Sequence, residues 1–272
     1  MLVNDTTHSQ FDVSAPNYDA EFTTSAIGKM QRERVYFALQ VNKLVKSKSK
    51  ILEINCGTGE DAIWLANHGH SVLATDASEE MIRIAKQKAS GFNKSDLQFQ
   101  QAEFSDLNAK YGTQKFDLIF SNFGGLNCVN VTELTQLFSD FSKLLLPNGK
   151  LALVVMGRKS LWERIYFLLK GSSQNAFRRN SKQAVAAHLG AGTYVSTYYY
   201  SPKELLQLTD ANFKQEELVP IGFFVPPSYL ENFFAKNKGY LKVLYFLEKG
   251  IFKWKFLANY SDHYLLILTK KT

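Results

Sequence analysis

The sequence predicts a doubly wound α/β fold built around a mainly parallel sheet. Three observations carry that expectation. Short apolar runs rich in β-forming residues alternate with amphipathic helical stretches between residues 50 and 156. The first of these runs passes straight into a glycine-bearing turn, Asn55-Cys56-Gly57-Thr58-Gly59. A hydrophobic fraction of 45% over 272 residues supplies enough apolar material for one large core. Strands that alternate with helices argue for a parallel sheet covered on both faces.

Taken in order, residues 26–46 place Met30, Phe37, Val41 and Leu44 near the helical period, with Thr24 or Ser25 as cap, which predicts a leading helix. KILEIN (50–55) and SVLATD (71–76) read as strands, separated by the glycine turn and the helical stretch DAIWLANH, which stops at Gly69. A further helix, SEEMIRIAKQKAS, is capped by Ser78 and stopped at Gly91. Strands LQFQQA and KFDLIFS, helix TELTQLFSDFSKLLL, the turn Pro147-Asn148-Gly149 and strand KLALVVM complete five strands by residue 156. The rhythm then breaks. Residues 157 to 193 read as irregular or helical and lead to YVSTYYYS, the helix PKELLQLTDANF and the strand EELVPIGF. Residues 226–260 open with Pro226-Pro227 and hold a long aromatic helical segment, and HYLLILTK (263–270) closes the chain as a strand near the sheet edge. Without internal repeats or low-complexity linkers, residues 1–272 are expected to form a single domain. Within it, 1–45 is a leading lid segment, 46–156 the core, and 157–215 and 226–260 two insertions.

Cys56 and Cys128 are the only cysteines and have no metal or disulfide spacing, so a reducing compartment and no metal site are expected. The start MLVNDTTHSQFD has no basic or apolar signal, and no stretch approaches the ~18 apolar residues of a membrane span. The expected location is cytoplasmic. Residues 1–150 hold 15 Lys/Arg against 17 Asp/Glu, and residues 151–272 hold 17 against 8, so the halves carry −2 and +9. That asymmetry suits either a solvated basic surface or an anionic partner for the second half.

Glycines in a strand-to-helix turn let backbone approach a ligand or adopt positive φ, and the helix N-terminus offers free N–H groups to a carboxylate or phosphate. Gly57, Gly59 and Ala62 also satisfy the dinucleotide pattern G-x-G-x-x-A. Asp76 stands seventeen residues after Gly59, at the end of the second strand, where a carboxylate can accept both hydroxyl hydrogens of a ribose. Nicotinamide enzymes share that device.

The blocks ILEINCGTGEDA, ATDASEEMIRIAKQKA, FQQAEFSDL, KFDLIFSNFGGLN and LLLPNGKLALVV, in this order, resemble the class I, Rossmann-like S-adenosylmethionine-dependent methyltransferases. The resemblance is close over residues 50–156 and looser over 11–45, where FDVSAPNYDAEF is similar to the leading segment of small-molecule members. It implies a seven-stranded, mainly parallel sheet with an antiparallel last strand and a helical, aromatic lid. It further implies that S-adenosylmethionine binds and leaves as S-adenosylhomocysteine. Glu53, Gly57 and Gly59 would then surround the methionine part, Asp76 the ribose, and Ala77 and Met81 the adenine. Glu103 or the backbone at Phe104 would meet the adenine amino edge, Asn122 and Phe123 would face the sulfonium, and Tyr18 would close over the methyl group. Two positions depart from the family: Asn55 stands where the first glycine is usual, and Glu103 where an aspartate is commoner. Asn tolerates left-handed backbone better than most residues.

Each of these residues also has a purely structural reading. Glu53 can cap backbone, Asp76 can cap the helix that follows, Met81 and Phe123 can be core, and both cysteines can be small buried residues. No residue is singled out as the catalytic base: Tyr18 and His263 are the candidates, and His188 is the poorer of the two histidines outside the core. The second half holds 22 of the 37 aromatics, which fits core packing and also an apolar acceptor pocket. A small or lipophilic acceptor is the favoured expectation. RNA or protein acceptors are a rival that uses the basic half, although the sequence SNFG lacks the Asn-Pro-Pro-aromatic pattern of adenine N-methylating enzymes. A cofactor-binding module without turnover is a further rival. The stretch KGYLKVLYFLEKGIFKWKFL is amphipathic and basic enough for peripheral membrane contact.

Overall fold

The structure is a computed structural model that describes residues 7–41, 44, 48–93, 95–190, 192–235 and 237–271. Helix α1 (Thr7–Tyr18) runs through a π-helical turn at Asp19–Thr23 into α2 (Ala26–Val41). Then follow β1 (Lys50–Ile54), α3 (Glu60–Asn67), β2 (Ser71–Asp76), α4 (Glu79–Lys88), β3 (Leu97–Gln101), α5 (Leu107–Tyr111), β4 (Phe116–Ser121), α6 (Val131–Leu144) and β5 (Leu145–Met156). The later part contains α7 (Leu161–Leu169), α8 (Ser173–Ala176), β6 (Val185–Gly190), β7 (Thr193–Thr197), α9 (Pro202–Thr209), β8 (Phe213–Ile221), α10 (Glu231–Ala235), α11 (Lys238–Gly250) and β9 (His263–Lys270).

Seven strands form one sheet in the order β3-β2-β1-β4-β5-β9-β8. Pairing is parallel from β3 to β5, and β9 runs antiparallel to both β5 and β8. The order reverses at β1/β4, so the crevice beyond the carboxyl ends of these strands is the ligand position of such sheets.

Period-two alternation assigns the two faces. Leu52, Ile119, Leu151, Leu153, Tyr264 and Leu266 pack toward α5, α6 and α9. Ile51, Leu118, Phe120, Ala152, Val154 and Leu265 pack toward α2, α3 and α4. Both faces are buried, which is why these strands read as continuous apolar runs. A separate small cluster joins Ile27 of α2 to Val225, Leu230, Phe234 and Leu241 under α10 and α11, with Trp162 and Tyr166 of α7 against it.

Four expectations are corrected. Phe37 and Val41 are 48% and 49% exposed, because α2 turns Ile27, Gln31, Arg34, Val35, Ala38 and Leu39 inward instead. The leading helix ends at Val41; Leu44 lies buried beyond it, and the rest of its expected end, at 42, 43, 45 and 46, lies outside the described residues. The stretch read as irregular or helical contains the antiparallel hairpin β6–β7. Finally, β9 lies between β5 and β8 rather than near the edge: its first six residues are buried, and β8 takes the edge with Lys214, Gln215 and Glu216 exposed.

Candidate active site

The loop from β1 to α3 bends through left-handed backbone at Asn55 (φ 51°), Gly57 (φ 54°) and Gly59 (φ 81°). At Gly59 a side chain is barred twice over, since a Cβ would sit 2.8 Å from the Phe99 ring and 2.9 Å from Ala85. The Gly57 N–H donates to Asp76 Oδ2 at 2.8 Å and the Ser78 N–H to Asp76 Oδ1 at 3.0 Å. One carboxylate at the end of β2 therefore fixes both the glycine turn and the start of α4. Burial pushes the Asp76 carboxyl upward, while these N–H bonds oppose the rise. A carboxylate has about four lone-pair sites, so these bonds leave it capacity for a ligand.

Asn55 has a structural role of its own. Its Nδ2 donates to the Asn122 carbonyl at 2.7 Å and its Oδ1 accepts from the Ser121 hydroxyl at 2.6 Å, stitching the end of β1 to the end of β4. Glu53, one turn of the strand earlier, is 1% exposed, and its Oε2 has no hydrogen-bond partner among the described residues. Burial, reinforced by Asp61, raises the Glu53 carboxyl well above the ordinary range. An orphaned carboxylate oxygen in such a place is a vacant acceptor for a cationic donor.

The leading segment is fastened across this loop. Asp12 Oδ1 accepts from the Ser78 hydroxyl at 2.5 Å and from the Glu80 N–H at 3.1 Å. Asp19 accepts from the Thr58 hydroxyl at 2.6 Å and pairs with Lys88 at 3.0 Å. Between them the Tyr18 ring lies over Gly57, 3.8 Å from where a Cβ would project. Burial raises the Tyr18 phenol to about 12, so it stays protonated. Deeper in, Asp61 binds Arg32 at 2.5 Å, accepts from the Tyr36 hydroxyl at 2.7 Å and from Asn122 Nδ2 at 3.0 Å. This network ties α2, α3 and the end of β4 together.

Phe123, at φ 44°, follows Asn122 and meets Phe22 edge-on at 5.1 Å, His263 edge-on at 5.4 Å and the Arg32 guanidinium at 5.3 Å. His263 is 8% exposed, with Nδ1 3.1 Å from Asp262 Oδ2. Burial works against the Asp262 charge, but Arg179 and His263 hold its carboxyl well below the usual range. Arg179 pairs with Asp262 at 2.8 Å and with Glu163 at 2.7 Å, binding the first insertion to the start of β9.

The structure thus brings together Tyr18, Glu53, Asn55, Gly57, Gly59, Asp76, Asn122, Phe123 and His263. Ala77 and Met81 lie just beyond Asp76: the Ala77 carbonyl accepts from Gln101 at 2.9 Å, and buried Met81 donates its N–H to the capping Ser78 hydroxyl. Glu103 is exposed at the end of β3 and Phe104 opens the short helical turn after it. His188 sits on the β6–β7 hairpin, facing Tyr194 at 5.1 Å. Sequence reasoning missed Asp12, Asp19, Phe22, Arg32 and Asp61. Asp61 alone had a local signal, in the first turn of the helix behind the glycine loop.

Among the described residues no group of histidines, cysteines and carboxylates has the makings of a metal site, and no helix is long and apolar enough to cross a membrane.

Residues 51–149 match the family described as the methyltransferase domain. A Geobacillus sp. protein provisionally named as a methyltransferase is 34% identical over 131 residues, 45% of this chain and 51% of that one. The chain spans about half the length of several of the curated relatives it matches. An uncharacterised protein of Methanocaldococcus jannaschii is 27% identical over 248 residues, 89% of each chain. Among solved structures, the N-methyltransferase NodS of Bradyrhizobium japonicum WM9, in complex with S-adenosyl-L-homocysteine, aligns with a TM-score of 0.61 at 14% identity, over 98% of this chain and 100% of that one. Residues 51–149 thus match a methyltransferase domain, and the sheet order together with the aligned structures shows that the chain has the class I, Rossmann-like methyltransferase fold.

Proposed function

We propose that this chain transfers a methyl group from S-adenosylmethionine to a small or lipophilic organic acceptor. The observation that carries the reading is that one glycine loop is flanked by the orphaned Glu53 oxygen on β1 and the Asp76 carboxylate at the end of β2. The residues fit the donor. Glu53 suits its ammonium group, the N-terminus of α3 its carboxylate, and Asp76 the two ribose hydroxyls. Ala77 and Met81 would flank the adenine, with Glu103 and the Phe104 backbone at its amino edge. Buried Glu53, on the strand that feeds the loop, disfavours the pyrophosphate of a dinucleotide there.

S-adenosylmethionine supplies, when bound, a methyl group already activated on sulfonium. The protein has then to align the acceptor, exclude water and accept a proton where the acceptor carries one. The segment 7–41 acts as a lid, held down by Asp12 and Asp19. Tyr18, Phe22 and Phe123 form an aromatic wall, which favours an apolar acceptor. The Tyr18 phenol positions by hydrogen bonding rather than acting as a base, because it stays protonated. His263, oriented by the ionised Asp262, is the proton acceptor we favour. Free thiols at buried Cys56 and partly buried Cys128 support a reducing, cytoplasmic setting.

Calorimetric titration with S-adenosylmethionine, S-adenosylhomocysteine and NAD tests the donor. Binding of the first two but not of NAD is expected, followed by mass-spectrometric detection of a methylated product from a metabolite extract. Binding of NAD alone, or of none of the three, overturns the reading.

A further inference from the structure

We propose that the outer face of α11 docks on an anionic lipid surface. The argument is independent of the methyl-transfer reading and starts from the way this helix divides its circumference. Leu241 and Glu248 are buried, with Leu244 and Tyr245 packed partly inward. At 100° per residue, Tyr240, Val243, Phe246 and Leu247 fall together on another sector, and they are 69%, 58%, 75% and 41% exposed. Phe233 of α10, 71% exposed, lines the same groove as Tyr240 and Val243. Lys242 and Lys249 share the remaining sector, both exposed.

The charges decide what covers this face. The stretch 238–255 contains a single carboxylate, Glu248, and the fold removes it from the surface. Glu248 turns inward to accept backbone N–H bonds from Gly222 at 2.9 Å, Phe224 at 2.7 Å and Val225 at 3.2 Å. What α11 presents to solvent is therefore apolar and cationic only. Just beyond it, Lys253, Trp254, Lys255 and Phe256 repeat the interleaving. Trp254 and Phe256 are 53% and 62% exposed, and of these lysines Lys255 has a carboxylate partner among the described residues, Glu217 at 3.1 Å. Exposed aromatics beside exposed lysines on one amphipathic helix are the composition that enters a headgroup region: rings take the acyl boundary and lysines the lipid phosphates. A protein partner of the same chemistry would have to offer acidic groups around an apolar ridge. A second copy of this face would set lysine against lysine.

The test is co-sedimentation of the full chain with vesicles of phosphatidylcholine alone and of phosphatidylcholine with an equal part of phosphatidylglycerol. Binding to the mixed vesicles only, weakened by salt, is expected. Phe246→Asp should weaken it at least about tenfold, and Lys242→Ala about fivefold. Both positions are exposed, so unchanged far-ultraviolet circular dichroism and thermal midpoint certify folding, and Lys242→Ala reads the charge separately from the apolar contact. Failure to bind the mixed vesicles overturns the proposal, as does binding unaffected by Phe246→Asp. A concentration-dependent dimer that Phe246→Asp dissolves in the absence of lipid also overturns it, by giving the face to a second copy.

Discussion

The amide side chain of Asn55 occupies the space that a side chain at residue 125 would need: a Cβ on Gly125 would clash with Asn55 Cγ and lie 2.7 Å from its Nδ2. The residue that departs from the family's glycine loop is thus accommodated by a second glycine, seventy residues away, at the turn after β4.

That relationship predicts a coupled pair. Gly125→Ala should destabilise the fold by about 1–3 kcal/mol through overpacking. Asn55→Gly gives up two side-chain hydrogen bonds but relieves left-handed backbone, so its own effect should stay within about 1 kcal/mol. In the double variant the clash is gone and the Gly125→Ala penalty should largely vanish. Urea unfolding of the four proteins measures the coupling, and additive penalties would show that the two residues do not interact.

Asp76→Asn removes the charge proposed to receive the ribose hydroxyls and turns one of the two oxygens that accept the Gly57 and Ser78 N–H groups into a donor. S-adenosylhomocysteine affinity should fall at least tenfold, about 1.4 kcal/mol. Because burial raises this carboxyl, affinity should begin to decline on acidification above the ordinary aspartate range. Calorimetry across pH checks both statements, and a pH profile identical in the variant would remove Asp76 from the explanation.

Glu53→Gln should separate stability from binding. A carboxyl whose folded-state value is raised makes the fold less stable as pH climbs from the unfolded value through the raised one. The glutamine variant should accordingly be more stable than the parent near neutral pH, on the order of 1 kcal/mol, and bind the donor less well. Thermal unfolding at several pH values, with and without S-adenosylhomocysteine, measures both; a less stable variant at neutral pH would contradict the argument.

Arg179→Met leaves Glu163 and Asp262 buried without their shared cation, and should cost about 3–5 kcal/mol. The carboxyl of Asp262 is depressed in the fold, so its stabilising share is fully present above the ordinary aspartate range and is lost only as pH falls beneath it. Chemical denaturation at neutral pH is the check, with the triple replacement of Glu163, Arg179 and Asp262 by apolar residues expected to recover much of the loss.

Asp19→Ala removes the bonds to Thr58 and Lys88 that fasten the leading segment, the proposed lid. Release of S-adenosylhomocysteine should accelerate a few-fold, as partly exposed ion pairs contribute only about 0.2–1 kcal/mol, and limited proteolysis near residues 20–25 should quicken. Unchanged release would mean that the lid does not gate the site.

Sequence alone determined the sheet-and-helix alternation, the glycine loop, Asp76 at the end of β2 and the capped start of α4. Each is written in neighbours a few residues apart, where period and capping chemistry act directly. Tertiary structure alone decided the rest. The β6–β7 hairpin escaped because alanines at 184, 186 and 187 carry little strand preference, and Phe37 and Val41 looked like core because apolar spacing does not say which face a helix turns inward. Arg179 reaches Asp262 across 83 positions, and Glu231 reaches the backbone of Ala26 across 205. No local pattern encodes such pairs; they exist because burying the sheet on both faces brings distant segments together, and buried charges must then find one another.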